Sequence, residues 1–299
     1  MYKSFEEVIA AARRLGPRPV SVAAAQDLDI LLALKEARDQ GLVEPFLVGD
    51  ASAIAPLAEK AGLTGARVID EKDLGEAVLK AAEMVRRGEA QALVKGLANS
   101  SVFLRAVLDQ ERGLRQAKLL CHLGVFELPG AGRLMFHSDG GVNVAPDLKA
   151  KKEILLNVLG ALKNLSLAKP KVAVMSHNEQ VSVKMPSTTD AAALVKMAEA
   201  GELPPCVIEG PMALDVAVSR EAAERKRIDS RISGEADVFL MPNIEAGNML
   251  GKALIHYAGA RFAGLILGAS HPVILTSRSD PPAAKLNSIA LACLAAPKK

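Results

Sequence analysis

Short apolar runs alternate with longer segments of helical period along almost the whole chain, and no other feature limits the fold as much. The runs 19–25, 44–50 and 91–96 have the length and composition of buried strands. Segments such as 28–41 and 147–164 repeat apolar residues with a period of about 3.6. Such alternation is typical of helices packed on both faces of largely parallel sheets. The sequence therefore predicts an α/β protein.

The stretch 119–146 departs from this alternation, because two apolar runs in it flank the segment PGAG at 129–132. Two runs joined by a short glycine-containing loop indicate a hairpin, so some antiparallel pairing is expected. The predicted strands number more than ten in 299 residues, which is too many for one compact doubly wound sheet. Two α/β domains joined by tight crossovers fit better, since the sequence contains no low-complexity segment or obvious linker.

Composition argues against two classes of protein. The formal net charge is only +3 and aromatic residues make up 3% of the chain, so nucleic-acid binding is not expected. No run reaches the ~18 apolar residues of a membrane span, and the amino terminus lacks the apolar core of a signal peptide. Cys121, Cys206 and Cys293 form no even framework, which is typical of reduced thiols. We therefore expect a cytoplasmic protein that binds no membrane.

Metal and nucleotide sites are not indicated. The five histidines lie at no metal-ligand spacing: His122, His137, His177, His256 and His271. The segment GNMLGKA at 247–253 resembles a phosphate loop, but too few residues separate its glycines and it lacks the hydroxyl that would bind magnesium. The segment 129–132 lacks the third glycine of a dinucleotide fingerprint. We expect no metal and no cofactor.

Three apolar strands end in polar turns that open helices. Ligands of α/β sheets bind beyond the carboxyl ends of strands, where helix amino termini present free N–H groups. The polar residues at these ends are Asn99, Ser100, Asn248, Ser277 and Arg278. Taken singly, each turn is most simply a helix cap. Together with Arg105, one turn inside its helix, they predict a pocket for a phosphorylated anion, because arginine matches phosphate oxygens bidentately.

Longer motifs carry a family resemblance. They are VKGLANSSVFLRAVL (94–108), KMPSTTDAAALVKM (184–197), EGPMALDVAVSREAA (209–223), DVFLMPNIEAGNML (237–250), and VILTSRSD (273–280) followed by KLNSIALA (285–292). With these motifs in order over essentially the whole chain, the sequence resembles the phosphate acetyl/butyryl transferase family, its butyryl branch in particular. The resemblance implies exchange of an acyl group between coenzyme A and orthophosphate, giving acyl phosphate. Acyl-CoA, phosphate and acyl phosphate are then the partners, and coenzyme A is a substrate rather than a cofactor.

The resemblance also implies a fold and a set of site residues. The fold is two α/β domains like those of isocitrate and isopropylmalate dehydrogenases, with the active site in the cleft and a homodimer or larger homo-oligomer as the assembly. The catalytic serine and arginines of the family fall on Ser277, Arg278 and Arg105. Independently of the resemblance, their positions at or beside the strand ends lead us to expect Asn99, Ser100, Asn248 and Asp280 among the substrate-binding residues.

The domain boundaries follow from the need for a common site. Arg105 and the pair Ser277 and Arg278 are far apart in sequence, yet all three are expected to act on one small anion. We therefore expect one domain of residues 1–115 and 268–299 and a second of residues 116–267. Arg105 should lie within about 15 Å of Arg278, so that both can touch that anion.

One position departs from the acetyl branch of the family. That branch carries an acidic residue seven positions after the serine, and here the position is Ala284. Asp280 precedes Pro281 and is expected to cap the following helix, with a direct role as base the lesser alternative. Asp139 is a weaker candidate. The identity of the general base stays open at this point.

Alternative functions also stay open. The first is a phosphate acetyltransferase of the same family, because aliphatic pocket walls do not fix the acyl chain length. The second is an oxidative decarboxylase of similar fold, which needs a dinucleotide and a divalent metal. The third is a catalytically weak homologue that binds acyl-CoA. For the transferase we favour direct transfer in a ternary complex over a covalent acyl-serine, because no histidine–aspartate partner lies at a recognisable spacing.

Overall fold

The computed structural model describes residues 2–277 and 280–296 and divides the chain into two compact units. We call residues 4–117 with those from 262 onward the flanking unit, and residues 118–261 the central unit; residues 1–3 are grouped with the latter. The boundaries predicted from the sequence lie after residues 115 and 267. The predicted α/β class is confirmed, because strands and helices alternate through most of both units.

The helices and strands follow in chain order. They are α1 (Phe5–Arg13), β1 (Arg18–Ala23), α2 (Leu28–Asp39), β2 (Val43–Gly49), α3 (Ala51–Ala61), β3 (Arg67–Asp70), α4 (Leu74–Arg86), β4 (Ala92–Lys95), α5 (Ser100–Val107), β5 (Cys121–Glu127), β6 (Leu134–Ser138), α6 (Leu148–Asn164), β7 (Lys171–Met175), α7 (Pro186–Glu199), β8 (Val207–Met212), α8 (Leu214–Val218), α9 (Arg220–Lys226), β9 (Val238–Leu240), α10 (Ile244–His256), β10 (Arg261–Leu267), β11 (Val273–Ile274) and α11 (Pro282–Ala295). Among the described residues, no helix is both long enough and apolar enough to cross a bilayer.

The flanking unit is built on strands in the order β3-β2-β1-β4-β11-β10. Neighbouring strands are parallel, except that β11 runs antiparallel to β10. All four residues of β4 are buried, as expected for a parallel strand that is covered on both faces. Helix α4 packs against β1 and β2, while α11 packs against α1 and α2. Because β1, β4 and β11 are parallel, the chain leaves all three at the same edge of the sheet.

The central unit is built on strands in the order β5-β6-β9-β7-β8. Strands β5 and β6 pair antiparallel across the loop that contains 129–132, which confirms the predicted hairpin. The other neighbours in this unit pair in parallel. One apolar cluster of the unit includes Met212, Val216, Ile232 and Phe239, so aliphatic and sulfur-containing side chains fill it with little aromatic content.

Aspartate side chains fix where several helices begin. Asp27, Asp50, Asp73 and Asp147 precede α2, α3, α4 and α6, and each carboxylate accepts a backbone N–H of the first turn. The first N–H groups of a helix have no partner within it, so a short acceptor at this position stabilises the helix. The amino terminus of α2, which matters for the site below, is thereby fixed at the carboxyl edge of the sheet.

At this edge of the sheet, the backbone at Gly96 lies very close to the backbone at the end of β1. A Cβ added to Gly96 would lie 2.2 Å from the Ala24 carbonyl oxygen and 2.9 Å from that of Ala23. Backbone oxygens cannot turn aside as a flexible side chain can. Gly96→Ala is therefore expected to lower the free energy of unfolding by about 1–3 kcal/mol, measured by urea denaturation.

Gly160→Ala is the matched control for that substitution. Gly160 is exposed within α6, and apart from its chain neighbours and the backbone of its own helix no described atom lies within 4 Å of where its Cβ would be. Alanine has the higher helix propensity, so this change should raise the free energy of unfolding by about 0.5–1 kcal/mol. A Gly96→Ala protein as stable as wild type would contradict the close approach at the end of β4.

Candidate functional site

Ser277 lines a cavity of about 220 Å³ in the flanking unit. We call it the Ser277 cavity, and its walls include Asp27, Lys95, Gly96, Thr276, Ser277 and Lys285. These residues come from the amino terminus of α2, the ends of β4 and β11, and the start of α11. The cavity therefore lies beyond the carboxyl ends of parallel strands, where α/β sheets bind their ligands.

Asp280 holds the backbone at Ser277. Its Oδ2 atom accepts the Ser277 backbone N–H at 2.7 Å, and its own N–H donates to the Ser277 carbonyl oxygen at 3.1 Å. Helix α11 begins one residue later than the sequence indicates, with Pro281 at the N-cap and no side-chain capping bond. The capping role predicted for Asp280 is therefore wrong, because its carboxylate turns back toward Ser277. Arg278, the neighbour of Ser277 in sequence, lies outside the described residues.

Two lysines of the cavity were missed by the sequence analysis. Lys95 is 7% exposed and Lys285 is 4% exposed. The Nζ atom of Lys95 donates to the Gly96 carbonyl oxygen at 3.2 Å, and that of Lys285 donates to the Asp280 carbonyl oxygen at 2.7 Å. The sequence does contain a signal that could have identified them. Lys95 ends the otherwise apolar strand ALVK, and Lys285 lies in the largely apolar segment AAKLNSIALAC. A lysine in such a run is rarely buried without a specific partner.

Arg105 lies in a different place from Ser277 within the flanking unit. Its exposed side chain lines an open groove of about 670 Å³ together with Ser101, Leu104 and Asp109. Arg105 is not among the residues that line the Ser277 cavity. The predicted distance from Arg105 to Arg278 cannot be read, because Arg278 falls outside the described residues.

Asn99 and Ser100 lie at the amino terminus of α5. Asn99 occupies the N-cap position without a side-chain capping bond, and Ser100 is the first residue of the helix. Both side chains are exposed. The N–H groups that open α5 are therefore not capped by the Asn99 side chain, as an anion-binding helix terminus requires. A ligand role for the two residues stays a prediction.

Asn248 lies in the central unit, on the exposed side of α10. Its Nδ2 atom donates to the Gly140 carbonyl oxygen at 3.3 Å. The N-cap of this helix is Asn243, whose side chain accepts the Ala246 backbone N–H. Gly247, beside Asn248, packs so closely that an added Cβ would lie 2.5 Å from the Asp139 carbonyl oxygen. Asn248 therefore helps fix α10 against the loop at 139–140, and its predicted contact with substrate is untested.

The carboxylate of Asp139 is fully engaged in holding a loop of the central unit. Its Oδ1 atom accepts the backbone N–H groups of Gly141 and Val142 at 2.7 and 2.9 Å. Its Oδ2 atom accepts the backbone N–H groups of His122 and Asn143 and the side-chain amide of Asn143. Asp139 is only 2% exposed. With five donors on two oxygens, this carboxylate is a structural anchor and a poor candidate for a general base.

Burial also disfavours several other groups as bases or nucleophiles. It raises the pKa of the Cys121 thiol to about 12, and that of Cys293 likewise to about 12, so both remain protonated at neutral pH. It lowers the pKa of His137 to about 3, with a further contribution from His122, so His137 remains neutral. Over the described ranges, no cluster of three or more histidine, cysteine or carboxylate side chains is placed to hold a metal ion.

Asp139→Asn tests the anchoring role in the central unit. The amide would present two N–H donors where the carboxylate accepts five hydrogen bonds, leaving buried donors facing each other. We expect a loss of about 3 kcal/mol or more in the free energy of unfolding, measured by urea denaturation. Asp229→Asn, at an exposed position of the same unit, is the control and should change stability by less than about 0.5 kcal/mol. Equal stability of the two variants would contradict the anchor.

Comparison with known proteins relates the chain to a family. The profile of the family described as "Phosphate acetyl/butaryl transferase" matches residues 66–293. A phosphate butyryltransferase of Clostridium acetobutylicum is 42% identical over 301 residues, which cover 100% of each chain.

Solved structures agree with this assignment. A branched-chain phosphotransacylase from Enterococcus faecalis V583 has a TM-score of 0.81 and 29% identity, covering 93% of this chain and 98% of the other. A putative 4-hydroxythreonine-4-phosphate dehydrogenase from Salmonella typhimurium shares the fold alone. Its TM-score is 0.61 at 15% identity, and the match covers 94% of this chain and 100% of the other. That likeness confirms the expected dehydrogenase-like α/β fold. The chain thus belongs to the phosphate acetyl/butyryl transferase family.

Proposed function

We propose that this protein exchanges a short-chain acyl group, butyryl in the first place, between coenzyme A and orthophosphate. The observation that carries the proposal is family membership along the full chain, with 42% identity to a phosphate butyryltransferase. The Ser277 cavity supports it, because the family serine and two buried ammonium groups lie together at the carboxyl edge of a sheet. Such an edge suits a small anionic ligand.

The reaction is an acyl transfer that changes no oxidation state. The thiolate of coenzyme A attacks the carbonyl carbon of the acyl phosphate, so that a C–S bond forms. The bond between that carbon and the phosphate oxygen then breaks, and orthophosphate leaves. The proton lost by the thiol ends on the departing phosphate. The protein must therefore align two polyanions, stabilise a tetrahedral oxyanion and offset charge on the leaving group.

Ser277 and Arg278 are the residues we assign to the reacting centre. Ser277 donates its hydroxyl hydrogen to the tetrahedral oxyanion or to the thiol sulfur, and Asp280 keeps its backbone in place. Arg278 offers a bidentate donor pair to the phosphate that leaves. Ala284 is 3% exposed and supplies no carboxylate, so the chemistry proceeds without an acid at that position. Transfer is direct, within a ternary complex.

Arg105 and the amino terminus of α5 bind the coenzyme rather than the reacting phosphate. Arg105 is exposed in an open groove of about 670 Å³, a volume in the range of sites for drug-sized ligands. Asn99 and Ser100 present exposed polar groups at the start of the same helix. A phosphorylated nucleotide fits a groove with an arginine and free helix N–H groups.

The setting we propose is a homodimer, or a larger homo-oligomer, in the cytoplasm. The three cysteines are free thiols, and two of them are buried. Disulfides form in oxidising compartments and are rare in the cytoplasm, so unpaired cysteines suit a reducing environment. The oligomer is inferred from the family and would be measured by analytical ultracentrifugation.

A colorimetric thiol assay tests the function. The purified protein, mixed with coenzyme A and butyryl phosphate, should consume free thiol without added nicotinamide or divalent metal. The ratio kcat/KM should favour butyryl over acetyl phosphate by about tenfold or more, since one buried methylene contributes about 1–3 kcal/mol. Preference for acetyl phosphate would assign the protein to the acetyl branch, and a family that covers both branches makes this the second candidate. Absence of thiol consumption with either substrate would sink the proposal.

Asp280 variants separate an anchor from a base. Asp280→Ala removes the acceptor for the Ser277 N–H and should lower kcat by about 10–100-fold, because small displacements of a catalytic group are costly. Asp280→Asn keeps an oxygen acceptor and should retain kcat within about threefold. Neither change should shift the melting temperature much, since no capping bond of α11 involves Asp280. An Asp280→Asn protein as inactive as Asp280→Ala would identify Asp280 as the base.

A further inference from the structure

Two buried lysines face the Ser277 cavity, and the sequence motifs assign them no role. Lys95 ends β4, and Lys285 is the fourth residue of α11. Both side chains are more than nine-tenths buried, at 7% and 4% exposure, yet both line the cavity. Burying an ammonium group is expensive unless a charged partner or ligand compensates it.

Lys285 differs from Lys151, another buried lysine, in how its charge is compensated. The Nζ atom of Lys151 in the central unit lies 2.6 Å from Oδ2 of Asp190, so that buried charge is neutralised. The Nζ atom of Lys285 donates to a main-chain carbonyl, and among the described residues no carboxylate forms an ion pair with it. Within the described part of the chain, the protein thus keeps a buried cation at the cavity that no carboxylate contacts as an ion pair.

The position of Lys285 makes this cation more costly still. Its Nζ atom lies 2.7 Å from the carbonyl oxygen of Asp280, a residue that precedes α11. The ammonium group is therefore at the amino-terminal end of the helix, where the helix dipole already contributes a partial positive charge. A cation there is disfavoured and an anion is favoured. Together, the helix end and the two lysines make a site for a negative charge.

Two carboxylates also line the cavity, and they narrow the choice of ligand. The Oδ1 atom of Asp27 is occupied by the backbone N–H groups of Asp29 and Ile30 at the start of α2. Asp29 lies on the same helix. Acidic groups on one wall repel a polyanion that fills the whole cavity, whereas a compact anion can bind at the lysine wall. The volume of about 220 Å³ is also below the about 300–1,000 Å³ of sites that enclose drug-sized ligands.

We propose that Lys95 and Lys285 bind the phosphate group that is exchanged, as orthophosphate or as the phosphate of the acyl phosphate. The inference rests on the proposed function and assigns the small anion of that reaction to a residue pair. In the direction of acyl-CoA formation, the two ammonium groups offset the charge that develops as the C–O bond breaks. In the opposite direction, they hold orthophosphate near Ser277 for attack on the thioester carbonyl. The phosphates of coenzyme A bind elsewhere.

Thermal denaturation with inorganic phosphate tests the site without requiring turnover. Titration of the wild-type protein with phosphate should raise its melting temperature, because a ligand of the folded state stabilises it. Lys285→Met and Lys95→Met keep the length of the side chain and remove the charge, so both should abolish most of this rise. Lys60→Met, an exposed position on α3, is the control and should respond like wild type. Coenzyme A should still raise the melting temperature of all variants.

Steady-state kinetics supply the second readout. In both methionine variants, KM for phosphate and for butyryl phosphate should rise by at least about tenfold, the loss expected for one charge-assisted hydrogen bond. KM for coenzyme A should stay within about twofold. If the protein proves inactive, the phosphate-dependent melting shift still decides the anion site, so failure of the function and failure of this inference are distinguishable.

Three outcomes would overturn the inference. The first is an undiminished response to phosphate in both methionine variants. The second is loss of the coenzyme A response with the phosphate response intact, which would assign the lysines to the phosphates of the coenzyme. The third concerns Lys285→Arg, which keeps the cation and should keep the phosphate response even if the methionine variant does not fold. A folded arginine variant that responds to phosphate no better than a folded methionine variant would show that the charge of Lys285 does not bind the anion.

Discussion

The parallel pairing of β4 with β1 on one side and β11 on the other is the constraint on which the site depends. Val94 of β4 pairs with Val22 of β1 and with Ile274 of β11, so the three strands end nearly level. Every residue of β4 is buried, and a shift of register would move its side chains to the wrong faces. Residues near positions 27, 95 and 277 therefore meet at one sheet edge, although most of the chain separates them.

Two buried lysines of this protein differ in the partner that compensates their charge. Lys151 has a carboxylate partner and serves the fold of the central unit. Lys285 has a carbonyl partner at a helix terminus, in a low-dielectric setting that strengthens its attraction for an anion. A transferase of this family needs such a place, because its reaction releases phosphate or captures it. On the proposed role of Lys285, the flanking unit tolerates an electrostatic cost to the fold at the place where the reaction uses a cation.

The carboxylates show why residue type alone does not assign a role. Asp280 and Asp139 were both candidate bases from the sequence. Asp139 accepts four hydrogen bonds from its own loop and one from His122 of β5, which leaves no lone pair suited to proton transfer. Asp280 bonds the backbone of Ser277, whereas a residue just before a proline was expected to cap the helix. In each case backbone N–H groups near the carboxylate are available as donors, and the tertiary structure determines which of them the carboxylate binds.

The sequence by itself determined the α/β class, the hairpin at 129–132, the family and the candidate Ser277, because periodicity, turn residues and long motifs are local properties. It missed β3, whose mostly exposed residues produce no apolar run. Tertiary structure alone revealed that Lys95 and Lys285 share a cavity with Ser277, and that Arg105 lines a different groove. The reason is that burial and proximity depend on strand order, and strand order is fixed by contacts between segments distant in sequence.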